Sequence, residues 1–157
     1  MNSICLTLFS MMSFCLMSAC IGPGDAIATV IPLSQVTVLN SGQNGTSQHA
    51  RNAQIRSQAQ YEAELAAISA GTGVAAKVDF TRGSVLLIDM GTRNSGGLAL
   101  AIASVKVSAD KVIANVRLTA PGSNCLTAAV MTNPYQFLYI PTSRNIIVED
   151  TSVVRNC

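Results

Sequence analysis

One histidine and eight carboxylates are the obvious acid–base groups in this chain of 157 residues. A serine nucleophile needs a base within hydrogen-bond reach. The single imidazole, His49, sits in a polar stretch, NSGQNGTSQHAR, with no acid beside it. No G-x-S-x-G elbow is present, because Gly83-Ser84 runs straight into an apolar segment. Neither a G-x-G-x-x-G nor a Walker pattern occurs, so Gly96-Gly97 is not a phosphate cradle. Asp89 is the odd carboxylate, set in the otherwise apolar run Val85–Met90. A buried aspartate can serve as an acid with a raised pKa, but the commoner arrangement is a turn or an arginine that satisfies it. Arg82, Arg93 and Arg117 are the candidates. Glu149 and Asp150 are adjacent, so on a strand their side chains diverge and form no paired acid site. These residues predict a protein that is not an enzyme and takes no cofactor.

The five cysteines divide by position. Residues 1–19 read as a lipoprotein-type signal peptide, whose apolar core from Ile4 to Met17 is short for a membrane span. Met17-Ser18-Ala19-Cys20 resembles a bacterial lipobox and makes Cys20 the expected lipidation site, with residues 20–25 as a tether. A simply secreted or periplasmic protein is the alternative. Cys125 and Cys157 remain, an even pair in an oxidising compartment, and are expected to form a disulfide, against the alternative of two free thiols. Two cysteines and one histidine without ligand spacing predict no metal site.

Charge excludes several partner classes. Charged residues make up 11% of the chain, against roughly 25% in typical domains, and the net charge is +2. The ten Lys and Arg are scattered from Arg51 to Arg155, which argues against nucleic acid. The aromatics after the leader do not interleave with basic residues as a stacking platform would.

The remaining 26–157 has the length of one β-rich domain. From Ala26 to Leu39 the β-branched run predicts one strand or two pieces with Pro32 at a bend. Asn40 to Arg51 reads as a loop. Ser57-x-x-Gln60 has the form of a capping box, and Tyr61, Leu65 and Ile68 recur at helical spacing, so a single helix is expected before Gly71. Ser84 to Leu118 then gives three apolar runs separated by two turns, the pattern of an antiparallel meander. Its first run is apolar on both faces and should be central. In the second, Ala99, Ala101, Ala103, Val105 and Val107 share a face on which another layer would pack closely. The third alternates, with Val112, Ala114, Val116 and Leu118 inward. Tyr135–Pro141 and Asn145–Glu149 are two further strands. The expected class is mainly β with one α-helix, a meander or β-sandwich-like single domain.

Taken in order, Val78-Asp79-Phe80, Gly91-Thr92-Arg93-Asn94-Ser95-Gly96-Gly97, Pro121-Gly122-x-x-Cys125 and Thr132-Asn133-Pro134-Tyr135 resemble the C-terminal domain of the PrcB family, over about residues 50–157. That family is named for a lipoprotein subunit of a surface protease complex. The chain departs from the usual pattern at Leu98, where an aromatic is common, and in the helix, which has no Trp. The resemblance implies a non-catalytic lipoprotein domain of the bacterial cell envelope, and the lipobox resemblance, with Ile21 rather than Asp after Cys20, favours the outer membrane in a Gram-negative cell. It also implies a protein-binding or assembly role toward another envelope or secreted protein, an exported protease among them. Thr92, Arg93, Asn94, Ser95, Gly96 and Gly97 form the expected partner-binding loop, polar and held on strands as recognition loops are. The alternative activity is protease inhibition by the same 92–97 hairpin loop. Its structural counterpart is a hairpin whose glycines only supply positive φ.

Overall fold

The computed structural model describes residues 29–157. The expected signal peptide, the tether and Cys20 lie outside the described residues.

Two four-stranded sheets and one helix make three layers. Strands β1 (Thr29–Ile31), β2 (Thr37–Gly42) and β3 (Arg51–Ile55) precede helix α1 (Gln58–Ile68). After it come β4 (Ser84–Asp89), β5 (Ala99–Val107), β6 (Lys111–Pro121), β7 (Tyr135–Ile140) and β8 (Asn145–Arg155). One sheet has the order β1-β5-β6-β8 and the other β2-β7-β4-β3. All pairings are antiparallel except β6 with β8, which runs parallel over eleven residue pairs. The expected class, mainly β with one helix, is what is found.

Strand β4 explains the layering. Leu86 and Ile88 pack against Val105, Val112, Ala114, Val116 and Ile146 of the other sheet. Val85 and Leu87 pack on the opposite side with Tyr61, Leu65 and Ile68 of the helix and Phe137 of β7. Every residue of β4 is buried. Each large side chain enclosed in this way contributes roughly 1.5–3 kcal/mol. The helix forms as its spacing predicts: the Ser57 hydroxyl accepts from the Gln60 N–H at 3.2 Å, and Tyr61, Leu65 and Ile68 are its buried stripe. It ends through Ala70 and Gly71, both at positive φ, with the Gly71 N–H donating to the Ala66 carbonyl.

The connectivity departs from a simple meander in four places. First, β4 does not pair with β5; they belong to different sheets. A strand that is apolar on both faces must lie between two covers, whereas β5–β6 has one wet face and belongs to an outer layer. The segment between them is therefore a crossover and not a hairpin. Second, a bulge between Ile102 and Ser104 shifts the phase of β5. Ala99, Ala101 and Ala103 consequently face solvent, while Leu100, Ile102 and Val105 turn inward, the reverse of the expected alanine contact face. Third, the loop expected from Asn40 to Arg51 is shorter, because Arg51–Ile55 forms edge strand β3. Fourth, the last strand continues past Glu149 to Arg155. Pro32 does bend the chain, which passes there from β1 in one sheet to β2 in the other through a 3-10 turn at Leu33–Gln35.

Candidate functional site

The crossover after β4 is built from two sequence motifs that meet in space. Arg93 and Thr132 exchange backbone hydrogen bonds at 2.7 and 2.9 Å, and the Thr132 hydroxyl donates to the Ser95 carbonyl at 2.9 Å. The Met90 N–H donates to the Pro134 carbonyl, and the Gly96 N–H to that of Ala128. GTRNSGG and TNPY are thus one unit. Asn133, also buried, reaches the opposite way: its side-chain amide donates to the Ser47 carbonyl, and its backbone bonds Gln43 and Gly45. The loop so fixed supports Thr92, whose N–H donates to the Gln48 carbonyl at 3.3 Å.

Gly91 is where this packing becomes tightest. Its φ is +63°, and a Cβ there would stand 2.6 Å from the backbone of Ala50 and of His49. Only glycine satisfies both conditions.

The expected partner-binding loop is accordingly a docked segment and not a protruding hairpin. Thr92, Arg93, Asn94 and Gly97 are exposed, Ser95 is half-buried and Gly96 is buried. Arg93 joins no ion pair among the described residues.

Beside Arg93 the two sheets part. Gln54 of β3 clasps them at one end: its amide donates to the Ser84 hydroxyl and the Arg144 carbonyl, and its oxygen accepts from the Ile146 N–H at 3.0 Å. Toward Arg51 on β3 and Asp150 on β8 the edges separate into a cleft of about 230 Å³, bordered by Asn52, Ile88, Met90, Arg93, Leu118 and Asp150. A second recess of about 200 Å³ continues from it, sharing Met90, Arg93 and Leu118 and adding Leu98, Ala120 and Ser152. Arg93 stands between the two, with a carboxylate on one side and an apolar wall on the other. Such a groove suits a chain segment carrying both polar and apolar side chains.

Asp89 also lines this cleft, but its side chain is fully buried and its carboxylate is held by its own strand neighbours. It shares the helix-facing side of β4 with Val85 and Leu87, directly opposite Arg51 in the strand register. Its Oδ1 accepts from the Gly91 N–H at 2.9 Å, and Oδ2 lies 3.5 Å from Arg51 Nε. Arg51 in turn donates to Glu64 of the helix at 2.7 Å. That hydrogen bond, with the charges of Glu64 and Asp89, raises the Arg51 pKa above its ordinary value against the lowering effect of burial. The arginine paired with Asp89 is therefore Arg51 and none of Arg82, Arg93 or Arg117, and it meets Oδ2 as an ion pair without completing a hydrogen bond. It was hidden because Arg51 reads as the end of a polar loop; a register for β3 would have revealed it. Glu149 and Asp150 diverge as expected, and only Asp150 borders the cleft.

Cys125 and Cys157 form a disulfide with Cα atoms 5.1 Å apart, tying the end of β8 to the segment after β6. His49 is exposed in its loop. Among the described residues no group of three His, Cys, Asp or Glu is placed to hold a metal ion, and no helix is long and apolar enough to cross a membrane.

No curated protein and no solved structure matches the chain. Residues 84–141, the stretch containing β4, β5, β6 and β7, match the family model described as PrcB C-terminal, the family that the motif order resembles.

Proposed function

We propose that this chain is a non-catalytic, lipid-anchored domain of the bacterial cell envelope that binds and assembles with another exported protein, a protease being the favoured partner. The observation that carries the reading is Arg93: an exposed guanidinium, unpaired among the described residues, on a backbone held by bonds to Thr132, at the junction of a polar and an apolar recess. A cation on a pre-ordered backbone beside an apolar wall recognises a partner segment without the cost of ordering the loop. The family match over 84–141 supports an envelope role, and the lipobox at Cys20 supports the anchor.

Inhibition by insertion of residues 92–97 into a protease is the weaker reading. An inhibitory loop must project, whereas Gly96 is buried and Ser95 and Arg93 are tied to Thr132.

The test is co-purification of the tagged full chain from gently solubilised envelopes, beside Arg93→Glu. The expected result is a co-purifying exported protein that the substitution releases. Recovery of the wild-type chain alone, or a partner indifferent to Arg93→Glu, would count against the reading. Intact mass of the same material reports the lipid on Cys20.

A further inference from the structure

Two stacked sheets expose four edge strands, and an edge with unpaired backbone groups invites another strand unless it is short, bulged or interrupted. Three of the four are protected in this way. Strand β1 has three residues and ends against Pro32; β2 is bulged between Val38 and Asn40; β3 has five residues. Strand β8 has eleven, with an unbroken register against β6 and no proline.

Among the described residues no strand pairs with its outer edge, and that edge can be defined residue by residue. In a parallel pairing, alternate residues direct both backbone groups toward the neighbour. Arg155 does so, its carbonyl accepting from the Gly122 N–H on the β6 side. The even-numbered residues therefore point outward, and the Ile146 N–H does indeed point outward to the Gln54 oxygen. Gln54 of β3 thus covers only the start of β8. Farther along, Thr151 to Arg155 are all exposed, Val153 at 40% and Val154 at 65%.

We propose that the chain pairs with a second copy of itself along this edge, as an antiparallel strand pair with its two-fold axis at Ser152. Charge selects both the partner and the register. Centred on Ser152, Glu149 of each copy lies opposite Arg155 of the other, while Asp150 meets Val154. Centred on Asp150, two aspartates would face each other, which is destabilising. The Ser152 register also gives three pairs that exchange hydrogen bonds through outward-directed groups: 150 with 154, 152 with 152, and 154 with 150. This self-pairing uses the backbone edge of β8 and not Arg93, although Asp150 and Ser152 also border the recesses beside that arginine.

The experiment is sedimentation of the full chain in mild detergent across a wide concentration range, with circular dichroism as the folding control. Wild type should show a reversible monomer–dimer equilibrium. Glu149→Arg or Arg155→Glu alone should weaken it about tenfold, since two symmetric pairs turn from attractive to repulsive. The double exchange should restore it. Ser152→Pro, which removes an outward N–H without removing a bond to β6, should abolish it. A chain that stays monomeric throughout, or a dimer unmoved by Ser152→Pro and by the single charge changes, would overturn the proposal.

Discussion

Arg93 and Thr132, far apart in sequence, exchange both of their backbone hydrogen bonds, at 2.7 and 2.9 Å. The Thr132 hydroxyl adds a third tie, to the Ser95 carbonyl. Thr132→Val keeps the shape and removes only that tie. It should cost about 0.5–1.5 kcal/mol and speed amide exchange at residues 93–96, followed by hydrogen exchange with mass spectrometry. Unchanged protection there would mean that the backbone pair alone holds the segment.

The Arg51–Asp89 pair predicts a larger effect. Arg51→Met leaves a carboxylate with a fully buried side chain facing no cation. Breaking a wholly buried pair costs roughly 3–5 kcal/mol. Because the Arg51 side chain is 40% exposed, water replaces part of the interaction, and about 1–3 kcal/mol is expected in urea unfolding. Asp89→Asn, which still accepts from the Gly91 N–H, should lose less.

Gly91→Ala combines two penalties. A positive φ costs an L-residue roughly 1–2 kcal/mol, and a Cβ 2.6 Å from the Ala50 and His49 backbone forces the loop apart, adding about 1–3 kcal/mol. A total loss of about 2–5 kcal/mol is expected from the shift in the denaturation midpoint. Gly71→Ala, with nothing within 4 Å, carries only the conformational part and is the control.

Tyr61 predicts an alkaline limb to stability. Burial raises its pKa above the ordinary 10.0, and the Ala76 backbone opposes this only in part. The phenol hydroxyl is buried, and among the described residues no partner, the Ala76 backbone included, meets it in full hydrogen-bond geometry. Folding therefore favours the protonated phenol. Its contribution is whole below about pH 10 and is lost as pH rises through the folded pKa. Tyr61→Phe should be within about 0.5 kcal/mol of wild type at pH 7 and flatten the fall above pH 10, measured as urea midpoints against pH. An unaltered alkaline slope would refute the assignment.

The disulfide closes a loop spanning 32 residues. Replacing both cysteines by serine should cost about 3.5 kcal/mol on the chain-entropy scale. The loss should concentrate in the outer half of β8, where Thr151–Arg155 have little burial to hold them. Loss of exchange protection at residues 151–155 before any at β4 is the expected pattern.

What the sequence made legible follows from periodicity. Tyr61, Leu65 and Ile68 at helical spacing, and Val85–Met90 apolar on both faces, required a helix and a covered strand, and both are found. The features that stayed hidden are those that periodicity does not encode. Arg51–Ile55 is polar enough to resemble a loop, yet β4 recruits it as an edge. One extra residue at Ala103 reverses which side of β5 is wet. Turn chemistry at Gly91 is the same for a hairpin and a crossover, and only the competition of two sheets for β4 decides between them. Thr92–Gly97 was legible as a segment, but its anchoring by Thr132 and its place beside a cleft depend on contacts distant in sequence.

The division of strands between matched and flanking sequence has one further consequence. Residues 84–141 supply β4, β5, β6 and β7, the two inner strands of each sheet. All four borders, β1, β2, β3 and β8, and the helix come from outside that stretch. A relative that shares only the matched stretch shares the slab's interior and is free to differ along every hydrogen-bonding margin. Two such proteins can have the same centre and different company.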